Sequence, residues 1–102
     1  AAVLPAPAGT MRPLTGLWHD TEGGQIEIVQ QGQQLVFQGM GEDGYVAGRA
    51  LLNGNRGEGT HTLNGYLLHS SFVVSSDGSR IDVVILDPGT GQRHATVLLR
   101  AD

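Results

Sequence analysis

The 102-residue chain has no cysteine, and this absence removes several kinds of chemistry at once. Disulfides, thiolate nucleophiles, iron–sulfur clusters and cysteine-based zinc sites are all excluded. Charged residues are also scarce, at 16% of the chain against a usual ~25%. The six basic residues are all arginines, they are scattered, and the net charge is −4. Without a basic stripe to neutralise neighbouring phosphates, we expect no nucleic-acid partner.

Glycine is abundant, at 16 of 102 residues, which favours many tight turns over long helices. Two of the four prolines lie in the opening stretch AAVLPAPAG. Proline lacks the backbone N–H and fixes φ, so this stretch cannot extend a helix or join the interior of a sheet. We therefore predict a flexible Pro/Ala-rich tether over residues 1–12 and a single β domain over residues 13–102.

This start resembles the mature amino terminus of a bacterial lipoprotein whose lipidated cysteine lies just before Ala1. The resemblance implies export and a lipid anchor at the periplasmic face of the outer membrane. Two alternatives stay open: an ordinary secreted protein cut by signal peptidase, and a tag remnant ahead of Met11.

Beyond the tether, turn signals recur about every 8–12 residues, as in a meandering barrel or sandwich. The predicted strands are Leu14 to His19, Gln25 to Gln31, Gln34 to Gln38, Tyr45 to Leu52, Gly59 to Leu63, Tyr66 to Val74, Arg80 to Leu86 and Arg93 to Arg100. The pair Asn64-Gly65 predicts a two-residue type I′ turn, since both residues tolerate positive φ. We expect an all-β fold of about eight short antiparallel strands, in a compact up-and-down barrel or a β-sandwich.

The early strands alternate apolar and polar residues, so one face is buried and the other is wet. The later strands carry apolar residues on both faces, which indicates either central strands or an apolar outer surface for docking. The residues proposed to form such a partner-binding strip are Leu67, Phe72, Val73, Val84, Leu86 and Leu98.

The segment Gly16-Leu17-Trp18, followed by a turn and Ile26-x-Ile28, resembles the G-x-W opening of the calycin group. That group comprises lipocalins, avidins and small bacterial protease inhibitors. The resemblance implies an eight-stranded barrel in which Trp18 plugs one end and Arg100 of the last strand packs across its indole. Strands of five to nine residues leave little room inside beyond side chains. We therefore expect a filled interior and a function on the outer surface.

The chain also resembles the pilotins in its lipoprotein-like start, its small size and its later strands, which carry apolar residues on both faces. These are small outer-membrane lipoproteins that escort secretin subunits of secretion systems, including type III systems. The resemblance implies a non-catalytic envelope domain that binds another protein, as a chaperone in assembly of an outer-membrane secretin. The alternatives are a calycin-like binder of a small apolar ligand and a periplasmic inhibitor of a protease or lysozyme.

No arrangement of residues predicts a catalytic site, a metal site or a cofactor. If Asn64-Gly65 closes a hairpin, His61 and His69 point to opposite faces and cannot share an ion. Glu42 and Asp43 are expected at a solvated loop tip and Asp82 on the outside of a strand. Asp87 precedes Pro88-Gly89, where aspartate favours a turn.

Overall fold

A computed structural model describes residues 13–101 of the chain, so the predicted tether over residues 1–12 lies outside the described part. The strands are β1 (Gly16–Asp20), β2 (Gln25–Gln31), β3 (Gln34–Gly41), β4 (Gly44–Asn53), β5 (Arg56–Leu63), β6 (Tyr66–Val74), β7 (Arg80–Leu86) and β8 (Arg93–Arg100). Each strand pairs antiparallel with the next, and β8 pairs with β1, so the sheet closes into an up-and-down barrel. The all-β prediction is confirmed, and the barrel replaces the sandwich alternative. The described residues include no helix long and apolar enough to cross a membrane.

The predicted bounds of β2, β6, β7 and β8 match the structure, whereas β3, β4 and β5 are longer than predicted. Half of the added residues are glycines, which the sequence pattern indicates as turn residues. In the barrel, Gly39 instead pairs with Val46 and Gly57 pairs with Leu52. Glycine within a strand often marks a close approach of backbones, and a Cβ on Gly39 would stand 2.0 Å from the carbonyl oxygen of Gln25.

The hairpin between β5 and β6 has the geometry predicted from Asn64-Gly65. Asn64 has φ of 52° and Gly65 has φ of 87°, as a type I′ turn requires. Leu63 and Tyr66 are paired across the turn. This register directs His61 into the barrel and His69 to the outside, so the prediction that they lie on opposite faces is confirmed.

One end of the barrel is closed by a packed core. Trp18, Leu14 and Val74 are fully buried there, and the indole Nε1 of Trp18 donates a hydrogen bond to the Leu14 carbonyl at 2.9 Å. Arg100 lies over the indole with its Cζ 4.5 Å from the ring centroid, which is the contact implied by the calycin resemblance. The same guanidinium donates from Nη2 to the carbonyls of Gly78 and Pro13 at 2.8 and 3.0 Å. Cation–π attraction and charge-assisted hydrogen bonds together fix this plug.

The proposed partner-binding strip is corrected in two places. Phe72 and Leu98 face the interior, since each lies on the inward face of its strand, and Leu98 belongs to the buried core. Leu67, Val73 and Val84 are exposed on the outer wall, while Leu86 is half-buried. A run of consecutive apolar residues does not show which of its side chains point inward. The pairing register of the barrel decides this. The described strands form a closed ring, so they offer no free strand edge with which a partner strand could pair.

Candidate functional site

The barrel encloses a cavity of about 540 Å³ that opens at the end opposite Trp18. The prediction of an interior filled by side chains is therefore wrong. Small side chains account for part of the space, because Ala50 of β4 and Ser70 of β6 line the cavity. Short strands predicted little free space inside the barrel. The free volume depends instead on the size of the inward side chains.

The wall of the cavity is mainly apolar. Its aliphatic and aromatic lining comprises Ile26, Ile28, Leu35, Phe37, Val46, Ala50, Leu63, Leu68, Phe72, Ile81, Val83, Ile85 and Leu98. Every second residue of a barrel strand points inward. Strands β2 to β8 each contribute at least one of these apolar residues to the lining. The wall offers a molecule in the cavity a continuous apolar surface.

Three polar side chains interrupt this wall: His61, Ser70 and Thr96. His61 is only 6% exposed, and its ring centroid lies 6.1 Å from that of Phe37. Neither His61 Nδ1 nor Thr96 Oγ1 has a hydrogen-bond partner within the described residues. A buried polar atom without a partner costs about 1–3 kcal/mol. Burial also lowers the pKa of His61, which favours the neutral imidazole.

The mouth of the cavity is formed by the β1–β2, β3–β4, β5–β6 and β7–β8 turns. Charged groups are concentrated here: the carboxylates are Asp20, Glu22, Glu42, Asp43 and Asp87, and the basic side chains are Arg93 and His94. Acidic groups outnumber basic ones, so the mouth has a negative potential at neutral pH. The prediction placed Glu42, Asp43 and Asp87 in separate solvated turns, whereas the fold brings all three to one opening.

Several hydrogen bonds hold these turns in place. Asp20 Oδ1 accepts from the backbone N–H groups of Glu22 and Gly24 at 2.8 and 2.7 Å. Asp87 Oδ1 accepts from the Tyr66 hydroxyl and the Gly89 N–H, both at 2.8 Å, which links the β7–β8 turn to the start of β6. The Tyr66 hydrogen bond is the main cause of the lowered pKa of Asp87.

Asn64 connects two neighbouring turns of the mouth. Its Oδ1 accepts from the Tyr45 N–H at 3.0 Å, and its Nδ2 donates to the Asp43 carbonyl at 2.9 Å. The side chain occupies the space beside Gly44, where a Cβ would stand 2.2 Å from the Asn64 amide. Gly44 also has φ of 139°, which few other residues adopt. The shape of this side of the mouth therefore depends on both residues.

An ion pair links the β1–β2 turn to β8. His94 Nε2 lies 2.9 Å from Glu22 Oε1, and both side chains remain partly exposed. The hydrogen bond and charge of Glu22 raise the pKa of His94, with smaller contributions from the charges of Asp43 and Glu42. Glu42, Asp43 and His94 all line the mouth of the same cavity.

The remaining acidic candidate lies away from the cavity. Asp82 is on the outer wall as predicted, where its Oδ1 is 2.9 Å from Arg80 Nη2. Within residues 13–101, no three histidine, aspartate or glutamate side chains form a group suited to a metal ion. The sequence pattern did not predict the cavity residues as a set. The available signal was the small residues at inward positions of β4 to β6, namely Ala50, Gly59 and Ser70.

The chain matches no protein-family model, no curated protein and no solved structure.

Proposed function

We propose that this domain binds a small apolar molecule inside the barrel. The observation that carries the proposal is the apolar cavity of about 540 Å³, closed at one end and open at the other. Small-molecule sites are concave, mainly apolar and about 300–1,000 Å³ in volume, with a few polar groups that fix orientation. Eight strands also give a barrel wide enough to hold one small ligand.

Two features of the wall support a bound molecule. Burial of apolar ligand surface contributes roughly 25 cal/mol per Å², so a ligand surrounded by this wall gains most of its affinity there. His61 and Thr96 add polar atoms that have no partner within the described chain, and a ligand hydroxyl or carbonyl could satisfy one of them. The hydrogen-bonded turns also fix the opening before any ligand arrives, which lowers the entropic cost of binding.

The proposal is tested with a neutral apolar fluorophore, N-phenyl-1-naphthylamine, titrated into the purified protein. We expect saturable binding of one molecule per barrel. Ser70→Phe adds an aromatic ring inside the cavity, so we expect affinity to fall by about tenfold or more, equivalent to ~1.4 kcal/mol. Circular dichroism and thermal unfolding establish that the variant is folded.

Ser71→Phe is the matched control, because Ser71 is exposed on the outer wall beside Ser70. This variant gains the same ring without entering the cavity, so its affinity should equal that of the unmodified protein. Absence of saturable binding, or equal affinity in folded Ser70→Phe, would contradict the proposal.

Binding of an envelope protein, as a pilotin does, remains a second proposal. It is supported by the exposure of Leu67, Val73 and Val84 on neighbouring strands β6 and β7. The strip is interrupted by His69 and Asp82, which are exposed between these residues, so the support is weaker than for ligand binding. Leu67→Ser combined with Val84→Ser should abolish capture of a secretin subunit; unchanged capture would contradict this proposal.

A further inference from the structure

The cavity and its mouth differ in charge, and this difference bears on which apolar molecules can bind. Below the mouth, the lining contains no carboxylate and no arginine among the described residues. At the mouth, five carboxylates face one guanidinium and one imidazole. A ligand that places its apolar body in the cavity must therefore leave its other end in a negative potential.

We infer that the cavity selects apolar molecules with a positively charged group, such as an amine, at one end, and disfavours those with a terminal carboxylate. This inference rests on the proposed ligand binding and names the class of ligand. The body would lie against Phe37, Leu68 and Phe72, while the ammonium group would stay among the carboxylates of the mouth.

Glu42 and Asp43 are the carboxylates best placed to act on such a group. Both are exposed on the β3–β4 turn, and their carboxylates accept no hydrogen bond from the described part of the chain. Asp20 and Asp87 instead accept bonds from their own turns, and Glu22 is paired with His94. The pKa of His94 is raised mainly by the hydrogen bond and charge of Glu22, and the charges of Asp43 and Glu42 make smaller contributions.

His61 gives independent evidence that the space is a binding site. It lines the wall below the mouth, is 6% exposed, and its Nδ1 lacks a partner within residues 13–101. This nitrogen is a polar position in a mainly apolar wall that no described side chain pairs with. A ligand with one hydrogen-bonding group on its apolar body would pair with His61 Nδ1. The charged end of the same ligand would interact with the carboxylates of the mouth.

The test compares three straight-chain probes of equal length, decylamine, decanol and decanoate, as competitors of the neutral fluorophore at neutral pH and low salt. We expect decylamine to bind most tightly, decanol next and decanoate least. The affinity ratio of decylamine to decanoate should be about tenfold or more. At ~1 M salt, where the Debye length falls to ~3 Å, this ratio should decrease towards one.

The double variant Glu42→Gln, Asp43→Asn should reduce the decylamine-to-decanoate ratio by about threefold or more, with decanol unchanged. The control is Glu27→Gln, Glu58→Gln, which removes two carboxylates exposed on the outer wall and should leave the ratio unchanged. Equal reductions in both variants would indicate an effect of net charge alone and would overturn the inference.

The outcomes separate the two proposals. If neither the fluorophore nor any chain binds, the proposed function fails and the inference fails with it. If the fluorophore and decanol bind but decylamine is no tighter than decanoate, ligand binding stands and only the charge selection is overturned.

Discussion

The two ends of the barrel are built from the same eight strands but have opposite character. At the closed end, Trp18, Leu14 and Val74 are fully buried and Arg100 covers the indole. At the open end, charged turns surround a space that side chains do not fill. The comparison indicates that stability is concentrated at the Trp18 end, while the other end is available for recognition. A barrel this small can contain a cavity because the side chains packed around Trp18, in the other half of its interior, stabilise the fold.

The largest expected effect comes from removing the plug. Trp18→Ala should lower the free energy of unfolding by about 3–5 kcal/mol, since it leaves a void and unpairs Arg100 from the ring. Tyr45→Ala, on an aromatic residue that is 48% exposed near the mouth, should cost less than about 1 kcal/mol. Chemical denaturation measures both values. Equal costs would show that the two ends do not differ in their contribution to stability.

A smaller effect concerns the histidine in the cavity wall. Burial lowers the pKa of His61 below its ordinary 6.5, so the unfolded chain binds more protons than the folded one as pH falls through 6.5. The folded state should therefore lose stability on acidification below that pH. His61→Leu should remove this part of the acid dependence while changing stability at neutral pH by no more than about 1 kcal/mol.

Unfolding measured as a function of pH tests this expectation. His69→Leu is the matched control, because His69 is exposed on the outer wall of the neighbouring strand. That variant should keep the acid dependence of the unmodified protein. If His61→Leu is as acid-sensitive as the unmodified chain, burial of His61 is not the cause.

The smallest effect is expected at the mouth. Glu22 raises the pKa of His94, so the stabilisation by this pair is fully present below pH 6.5 and is lost as pH rises through the higher folded value. Because the pair is exposed, it contributes only about 0.2–1 kcal/mol. His94→Gln should therefore be less stable than the unmodified chain at low pH and equal to it at high pH, with the difference reduced by salt. A difference that grows with pH would contradict the ion pair.

The strand pattern and turn chemistry carried most of the fold information. Alternating apolar residues placed the early strands, and Asn64-Gly65 determined a hairpin register that puts His61 and His69 on opposite faces. These features are local, because strand period and turn geometry depend on neighbouring residues. The contact between Trp18 and Arg100 was implied only by the calycin resemblance, since no local pattern joins these two residues.

The cavity and the charged mouth required the tertiary structure. The inward direction of Phe72 and Leu98 depends on which face of the sheet encloses the core, which no single strand encodes. The free volume depends on which small residues coincide at one level of the barrel. The potential at the mouth depends on turns more than sixty residues apart, such as those bearing Glu22 and Asp87, meeting at one opening. Sequence alone determined the strands and their turns, because those interactions are short-range; the space inside and the charges around it were decided only when the strands closed.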